Sequence, residues 1–370
     1  MAHSLSVVHL DDGRIWRGGQ HQVFLLISEL QKLGVRQALA APPGAPLAER
    51  ARALGIEVFP FTAPLGELDP FAPGRLARFA RNWGAALLHA HTGHAHAQGL
   101  RAVRKLRSVP LVVTRRVDFA VGQGWWSRRK YTAPGQHFIA ISTAVRDVLI
   151  AGGVAPGRIA IVHSGVPAIP AAYAWPRERV RAELGIAPNE IAIVNIGALT
   201  DHKGQQYLIA AAPAVLAHCP RARIHILGSG ELHAQLAEQI QQLKLEEKVI
   251  LHGHVTDARL KLAGFDLFVS SSHLEGLGTV ILDAMLAGLP VVATAAGGVV
   301  DIVKPNETGL LAPPRDPVAL ATALIAGLQL TPDTRRQLIT NACTMVAAQF
   351  SAAATARGTL EVYQRILKSS

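Results

Sequence analysis

The chain has 370 residues, 49% apolar and 17% charged, a composition that can bury large cores and excludes a disordered or low-complexity protein. Its length exceeds what one hydrophobic core usually fills, so two domains are expected. The formal charge of +11 lies wholly before Pro170, and Cys219 and Cys343 are too few for a disulfide framework or a thiolate metal cluster.

Met1 to Leu10 lacks the zones of a signal peptide, which predicts a cytoplasmic protein. Apolar runs suited to buried parallel strands follow at Leu5–Leu10, Ala38–Ala41, Glu57–Phe59, Leu87–His89, Leu111–Thr114, Phe138–Ile141 and Ile159–Val162. Helix-compatible stretches such as Val23–Leu33 and Ser142–Ala151 separate them. Gly165–Pro176, with three prolines, reads as a linker. Strand-like runs then resume at Ile191–Ile196, Arg223–Leu227, Val249–Leu251, Leu267–Ser270, Val291–Thr294 and Gly309–Leu311. Thr279–Val300 is apolar enough to suggest a membrane span, but its glycines and Pro290 favour helix, turn, buried strand and glycine loop. The alternation predicts an α/β chain of two Rossmann-like, doubly wound parallel-sheet domains, with ligands outside the carboxyl ends of the strands. Two such domains facing each other would enclose a cleft.

Two loops carry the chemistry. Gly197 to Gly204 follows a strand and precedes a helix, so its Lys203 ammonium and open backbone suit phosphate oxygens; an ordinary βα loop with a solvated lysine is the bland alternative. Ser270 to Thr279 contains Glu275, Gly276, Leu277 and Gly278, and Asp283 follows. The seven-residue gap predicts both acids on roughly one helical face, where carboxylates can accept hydrogen bonds from sugar hydroxyls and glycines admit backbone N–H groups. The bland alternative is a helix N-terminal charge and an exposed helical acid.

The combination of Gly197–Gly204, Glu275 to Asp283 and the Gly297-Gly298 loop resembles retaining glycosyltransferases of family four, which have the GT-B fold. The resemblance spans nearly the whole chain. It implies an acceptor-side domain over 1–170, completed by a C-terminal helix within 350–370, and a nucleotide-sugar donor domain over 171–349. It places Glu275 beside the donor sugar, Asp283 at the ribose hydroxyls, Lys203 on the donor diphosphate with Gly197, Gly276, Leu277, Gly278 and Thr279 around them, and Val255 near the base. Gly18 and Gly19 match a glycine loop that closes over phosphates or acceptor, and Arg116 stands where several members place a histidine near the donor sugar. Asp283 is one methylene shorter than the usual glutamate, and Ala198 replaces a common arginine.

The implied reaction needs no cofactor and no metal. It moves a sugar from a UDP-, GDP- or ADP-linked donor to a glycolipid or polysaccharide in envelope (lipopolysaccharide or exopolysaccharide) biosynthesis. The catalytic candidates are Glu275, Lys203, Arg116 and His91. His89, His91, His94 and His96 form a dense cluster, but the last two would diverge on a helix, so a strand-end contact for His91 is preferred to a metal site. Gly228-Ser229-Gly230 begins a dinucleotide fingerprint that His233 interrupts, leaving an NAD-dependent oxidoreductase as the alternative enzyme. Trp125, Trp126, Arg128, Arg129 and Lys130, with Arg101, Arg104, Lys105 and Arg107, suggest docking on an anionic inner-membrane surface; a solvated basic face is the plainer account. No nucleic-acid motif accompanies the charge.

Overall fold

The computed structural model describes residues 5–106, 108–122, 124–167 and 175–369. Arg107 and most of the linker read over Gly165–Pro176 lie outside the described residues. The chain divides into two units, Met1–Pro167 with Ser351–Ser370, and Ala168–Phe350.

The first unit holds β1 (Ser6–Leu10), β2 (Arg36–Ala41), β3 (Glu57–Pro60), β4 (Leu87–Ala90), β5 (Leu111–Arg115), β6 (Gln136–Ala140) and β7 (Ile159–Ile161). They form one parallel sheet in the order β3-β2-β1-β4-β5-β6-β7. The central strands are buried throughout, which explains why their sequences run apolar without alternation. Leu26 and Leu30 of the helix Gly18–Lys32 pack with Val362, Tyr363 and Ile366 of the C-terminal helix Ala352–Ser369 over Val7, Leu87 and Val112 of the sheet. The terminal segment therefore belongs to the first core. It enters at Ser351, which bridges Val166, and Gly165 is needed there because a Cβ would lie 2.3 Å from the Ser351 carbonyl oxygen.

The second unit holds β8 (Ile191–Ile196), β9 (Ala222–Leu227), β10 (Val249–Gly253), β11 (Leu267–Ser270), β12 (Val291–Thr294) and β13 (Leu310–Ala312), ordered β10-β9-β8-β11-β12-β13 and again parallel. Its core joins Ile193, Ile224, Val269 and Val292 to Leu208, Ile209, Leu320 and Leu324 of the flanking helices. The expected α/β class is thus present in both units. Thr279–Val300 resolves into the helix Thr279–Leu286, β12 and a glycine turn, and among the described residues no helix is long and apolar enough to cross a membrane.

Two local expectations are corrected. Glu275 and Asp283 do not share a helix, because the helix begins only at Thr279: Gly278 sits at φ +86°, a left-handed backbone that interrupts any helix reaching back to Glu275. Gly18 and Gly19 are not a free loop but the first turn of the helix Gly18–Lys32, where N–H groups need no intrahelical acceptor and glycine is tolerated.

Candidate active site

In the second unit the strand order reverses at β8 and β11, so the loops leaving these adjacent strands rise side by side at the position where doubly wound sheets bind ligands. The loop after β8 carries Lys203 at the end of a single helical turn, Asp201–Lys203. The loop after β11 carries Glu275. Lys203 Nζ lies 2.5 Å from Glu275 Oε2, and the Ser272 hydroxyl donates to the same oxygen at 3.3 Å. The Gly298 N–H donates to the Glu275 carbonyl at 2.8 Å, tying in the glycine turn after β12. Gly197 flanks Lys203, while Gly276, Leu277 and Gly278 lead from Glu275 to the N-terminus of the helix Thr279–Leu286.

Glycines let these loops stack backbone on backbone. A Cβ on Gly204 would lie 2.2 Å from the Ser271 carbonyl oxygen, and one on Gly228 would lie 1.8 Å from that of Gly197. Gly230 stands equally tight, 2.3 Å from the Leu199 oxygen. Gly228-Ser229-Gly230 is therefore used up in packing against the Lys203 loop, which removes the basis for reading it as a dinucleotide fingerprint.

Asp283 lies on the helix with its side chain 13% exposed and pairs with Arg259 at 2.9 Å. Burial pushes its carboxyl up to about 6, with Arg259 pulling the other way. Arg259 belongs to the turn Ala258–Gly264, just beyond the half-buried Val255, so the pair fastens the helix to the loop that follows β10. Sequence reasoning missed Arg259, since nothing in the spacing joins positions 259 and 283.

In the first unit the order reverses at β1 and β4. His9 from β1, His89 from β4 and His91 just after it crowd together there, with the His89 and His91 ring centres 4.0 Å apart. His9 Nδ1 lies 3.0 Å from His91 Nε2, and both terminal nitrogens of Arg116 lie 3.4 Å from His91 Nδ1. Burial lowers His9 to about 4 and holds His89 and His91 well below the ordinary imidazole range, with the Arg116 charge acting in the same direction. Burial also lowers Arg116, to about 10, so the guanidinium is charged at neutral pH. His94 and His96 diverge as expected: His94 faces Asp12, whereas His96 is buried against Gln136. The nitrogens of the three clustered histidines could ring a cation. However, His89 is bonded to Tyr363 and Thr114, His9 to Gln37, and a guanidinium sits beside His91, which opposes a divalent ion. Gly18 and Gly19 stand exposed and half-buried at their helix N-terminus, with open space where side chains would be.

Residues 176–345 match the family model Glycosyl transferases group 1, and residues 16–168 match Glycosyltransferase Family 4. Each unit is thus similar, over most of its length, to a glycosyltransferase domain. Among relatives of these domains, the D-inositol 3-phosphate glycosyltransferase of Kineococcus radiotolerans is 31% identical over 60% of this chain and 55% of its own length. A glycosyltransferase assigned to colanic acid biosynthesis, WcaL of Salmonella typhimurium, is 29% identical over 48% of this chain and 45% of its own. The chain thus spans about half the length of these curated relatives. The crystal structure of Anabaena HepE in complex with UDP superposes with a TM-score of 0.83 over 98% of this chain and 100% of that one, at 23% identity. That likeness shows the fold, and the fold is GT-B.

Proposed function

We propose that this chain is a retaining glycosyltransferase that moves a sugar from a nucleoside-diphosphate-sugar to a glycolipid or polysaccharide acceptor in envelope biosynthesis. The observation that carries the reading is the Lys203–Glu275 pair at the strand-order reversal of the second unit. Without donor, ammonium and carboxylate neutralise each other. A diphosphate brings more negative charge than one carboxylate, so it draws Lys203 towards itself and frees Glu275 to accept hydrogen bonds from sugar hydroxyls. Lys203, with the N–H groups opening the helix Thr279–Leu286, then supplies the positive charge that the leaving diphosphate requires, a role that a metal plays in other enzymes. The bond from the sugar's anomeric carbon to the phosphate oxygen breaks as one to the acceptor oxygen forms on the same face. The acceptor proton passes to the departing phosphate.

Asp283 and Val255 take the nucleoside in this reading, through the ribose and the base. Arg116, His91, Gly18 and Gly19 of the first unit serve the sugar and the acceptor. UDP is the first donor nucleotide to test, because it is the one bound in the HepE crystals; GDP and ADP follow. Replacing Lys203 or Glu275 by alanine lowers transfer by about 10²–10³-fold, while circular dichroism and melting temperature stay close to wild type. Wild-type turnover in either variant contradicts the assignment.

A specific surface supports work at the cytoplasmic face of an anionic membrane. Trp125 and Trp126 stand side by side in the first unit, 61% and 77% exposed. Leu65, Leu68 and Phe71 are also exposed. The two segments are joined by the ion pair of Lys130 with Glu67 at 2.8 Å, and Arg101 donates to the Glu67 and Asp69 carbonyls. Apolar side chains beside arginine and lysine match an anionic lipid headgroup layer, in which each basic residue contributes about 1 kcal/mol. Co-sedimentation with phosphatidylglycerol vesicles, lost in phosphatidylcholine and in the Trp125→Ser, Trp126→Ser double variant, is the expected result; equal partitioning onto both vesicle types refutes docking.

A further inference from the structure

The first unit contains a chain of side chains whose hydrogen-bond directions are fixed from both ends. At one end, Gln37 on β2 donates its amide N–H to the Ile27 carbonyl at 3.0 Å. Its Oε1 is thereby turned to His9, and at 3.1 Å it can only accept, so the proton of His9 must sit on Nε2. A neutral His9 then has a bare Nδ1, which accepts at 3.0 Å from His91 Nε2. That puts the His91 proton on Nε2 and leaves Nδ1 bare. At the other end, a guanidinium can only donate, and both terminal nitrogens of Arg116 meet that same bare Nδ1 at 3.4 Å. The two ends are independent of each other, and they demand the same tautomers.

We infer that His9 and Gln37 are positioning residues: through a one-way hydrogen-bond chain they hold His91 in its Nε2–H form, so that its bare Nδ1 steers the Arg116 guanidinium. The inference rests, for its consequence in catalysis, on the reading that Arg116 serves the transferred sugar. The neutral state of the chain has a physical source. His9 and His91 are buried, and the Arg116 charge disfavours a second cation beside them. The opposite tautomer at His91 would set an N–H against the guanidinium and a lone pair against His9 Nδ1, both repulsive. His89 lies outside the chain, because its partners Tyr363 and Thr114 are hydroxyls that can donate or accept. The arrangement also bears on Arg116 standing where several members of the resembling family place a histidine. The contact with His91 holds the guanidinium at its two terminal nitrogens, and Arg116 Nε has no hydrogen-bond partner to fix its direction instead.

The direct test is spectroscopic and needs no substrate. In the full chain labelled with ¹⁵N-histidine, long-range proton–nitrogen correlation at pH 7.5 is expected to show His9 and His91, assigned by single His→Asn variants, as neutral imidazoles protonated at Nε2. An Nδ1–H form or an imidazolium at either position overturns the inference. A pair of variants then separates direction from packing. Gln37→Glu keeps the shape but favours a His9 imidazolium, whose Nδ1–H forces His91 into the opposite tautomer; Gln37→Leu deletes the amide without reversing anything. With UDP-glucose as donor probe, turnover is expected to fall at least tenfold further in Gln37→Glu than in Gln37→Leu, together with the His91 tautomer swap. Equal losses, or a greater loss in Gln37→Leu, identify the amide as packing alone and overturn the relay. A wild-type chain that shows the expected tautomers yet does not turn over any nucleotide-sugar would instead leave the relay standing and count against the transferase reading.

Discussion

At the scale of single residues, the site is built from charges that are already paired. Lys203 has Glu275, and Asp283 has Arg259. In the proposed reading, binding a donor means exchanging one partner for another, which costs less than desolvating a free charge. Asp283 makes this measurable. Its carboxyl lies at about 6 in the folded chain because it is buried, above the ~3.9 of an unfolded aspartate. Between those two values the folded state holds the proton more firmly than the unfolded state. The contribution of Asp283 to stability accordingly falls as pH rises through that window, by up to roughly 3 kcal/mol. Asp283→Asn removes this slope, so unfolding free energies in urea should shift in favour of the variant, relative to wild type, between pH 4 and pH 6. A constant difference across that range contradicts the burial argument. At this scale the sequence was partly legible. Lys203 and Glu275 could be brought together because each follows a strand and the resemblance puts both on one donor. Arg259, His9 and Gln37 could not, because each meets its partner from an element distant in sequence, brought near only by the folded sheet.

At the scale of elements, the strand positions were readable because buried parallel strands carry uninterrupted apolar runs, and both sheets contain the runs named from sequence. Helix starts were not, since they depend on a few glycine dihedrals. Gly278 at φ +86° delays a helix that periodicity would have begun near Glu275, whereas Gly18 and Gly19 sit inside a first turn that glycine seemed to rule out. The tight loop stack around Lys203 turns on the same residue type. Gly228, at φ +157°, has the Gly197 carbonyl where a side chain would be, whereas Gly18 has open space. Gly228→Ala should lower unfolding free energy by at least ~2 kcal/mol through forced backbone displacement, and Gly18→Ala should change it by less than about 1 kcal/mol. Equal melting temperatures for wild type and Gly228→Ala would show that the loops do not touch as described. The missing third glycine of the dinucleotide pattern also gains an explanation: the two that are present answer to neighbouring backbone, and no third contact requires one.

At the scale of the whole molecule, two sheets with the same reversed strand order repeat one ligand-binding device, and they use it differently. The first unit gathers buried neutral imidazoles around one guanidinium and is strongly basic, with 23 Lys and Arg against 10 Asp and Glu. The second is slightly acidic, with 14 Lys and Arg against 16 Asp and Glu, and places a lysine–carboxylate pair on glycine-packed loops. The last helix rejoins the first unit through Tyr363 and Ile366, so the first core is built from two separate stretches of chain, whereas the second is one continuous stretch. The central claim is that Lys203 and Glu275 hold adjoining parts of one nucleotide-sugar, its diphosphate and its sugar. Calorimetric titration of wild-type protein with UDP, GDP and ADP tests it most directly, repeated for Lys203→Ala and Glu275→Ala with the nucleotide that binds. Saturable one-to-one binding of one nucleoside diphosphate, weakened at least tenfold by Lys203→Ala and little changed by Glu275→Ala, which acts on the sugar, is the predicted result. Undiminished affinity in Lys203→Ala, or no binding of any of the three by wild type, would contradict it.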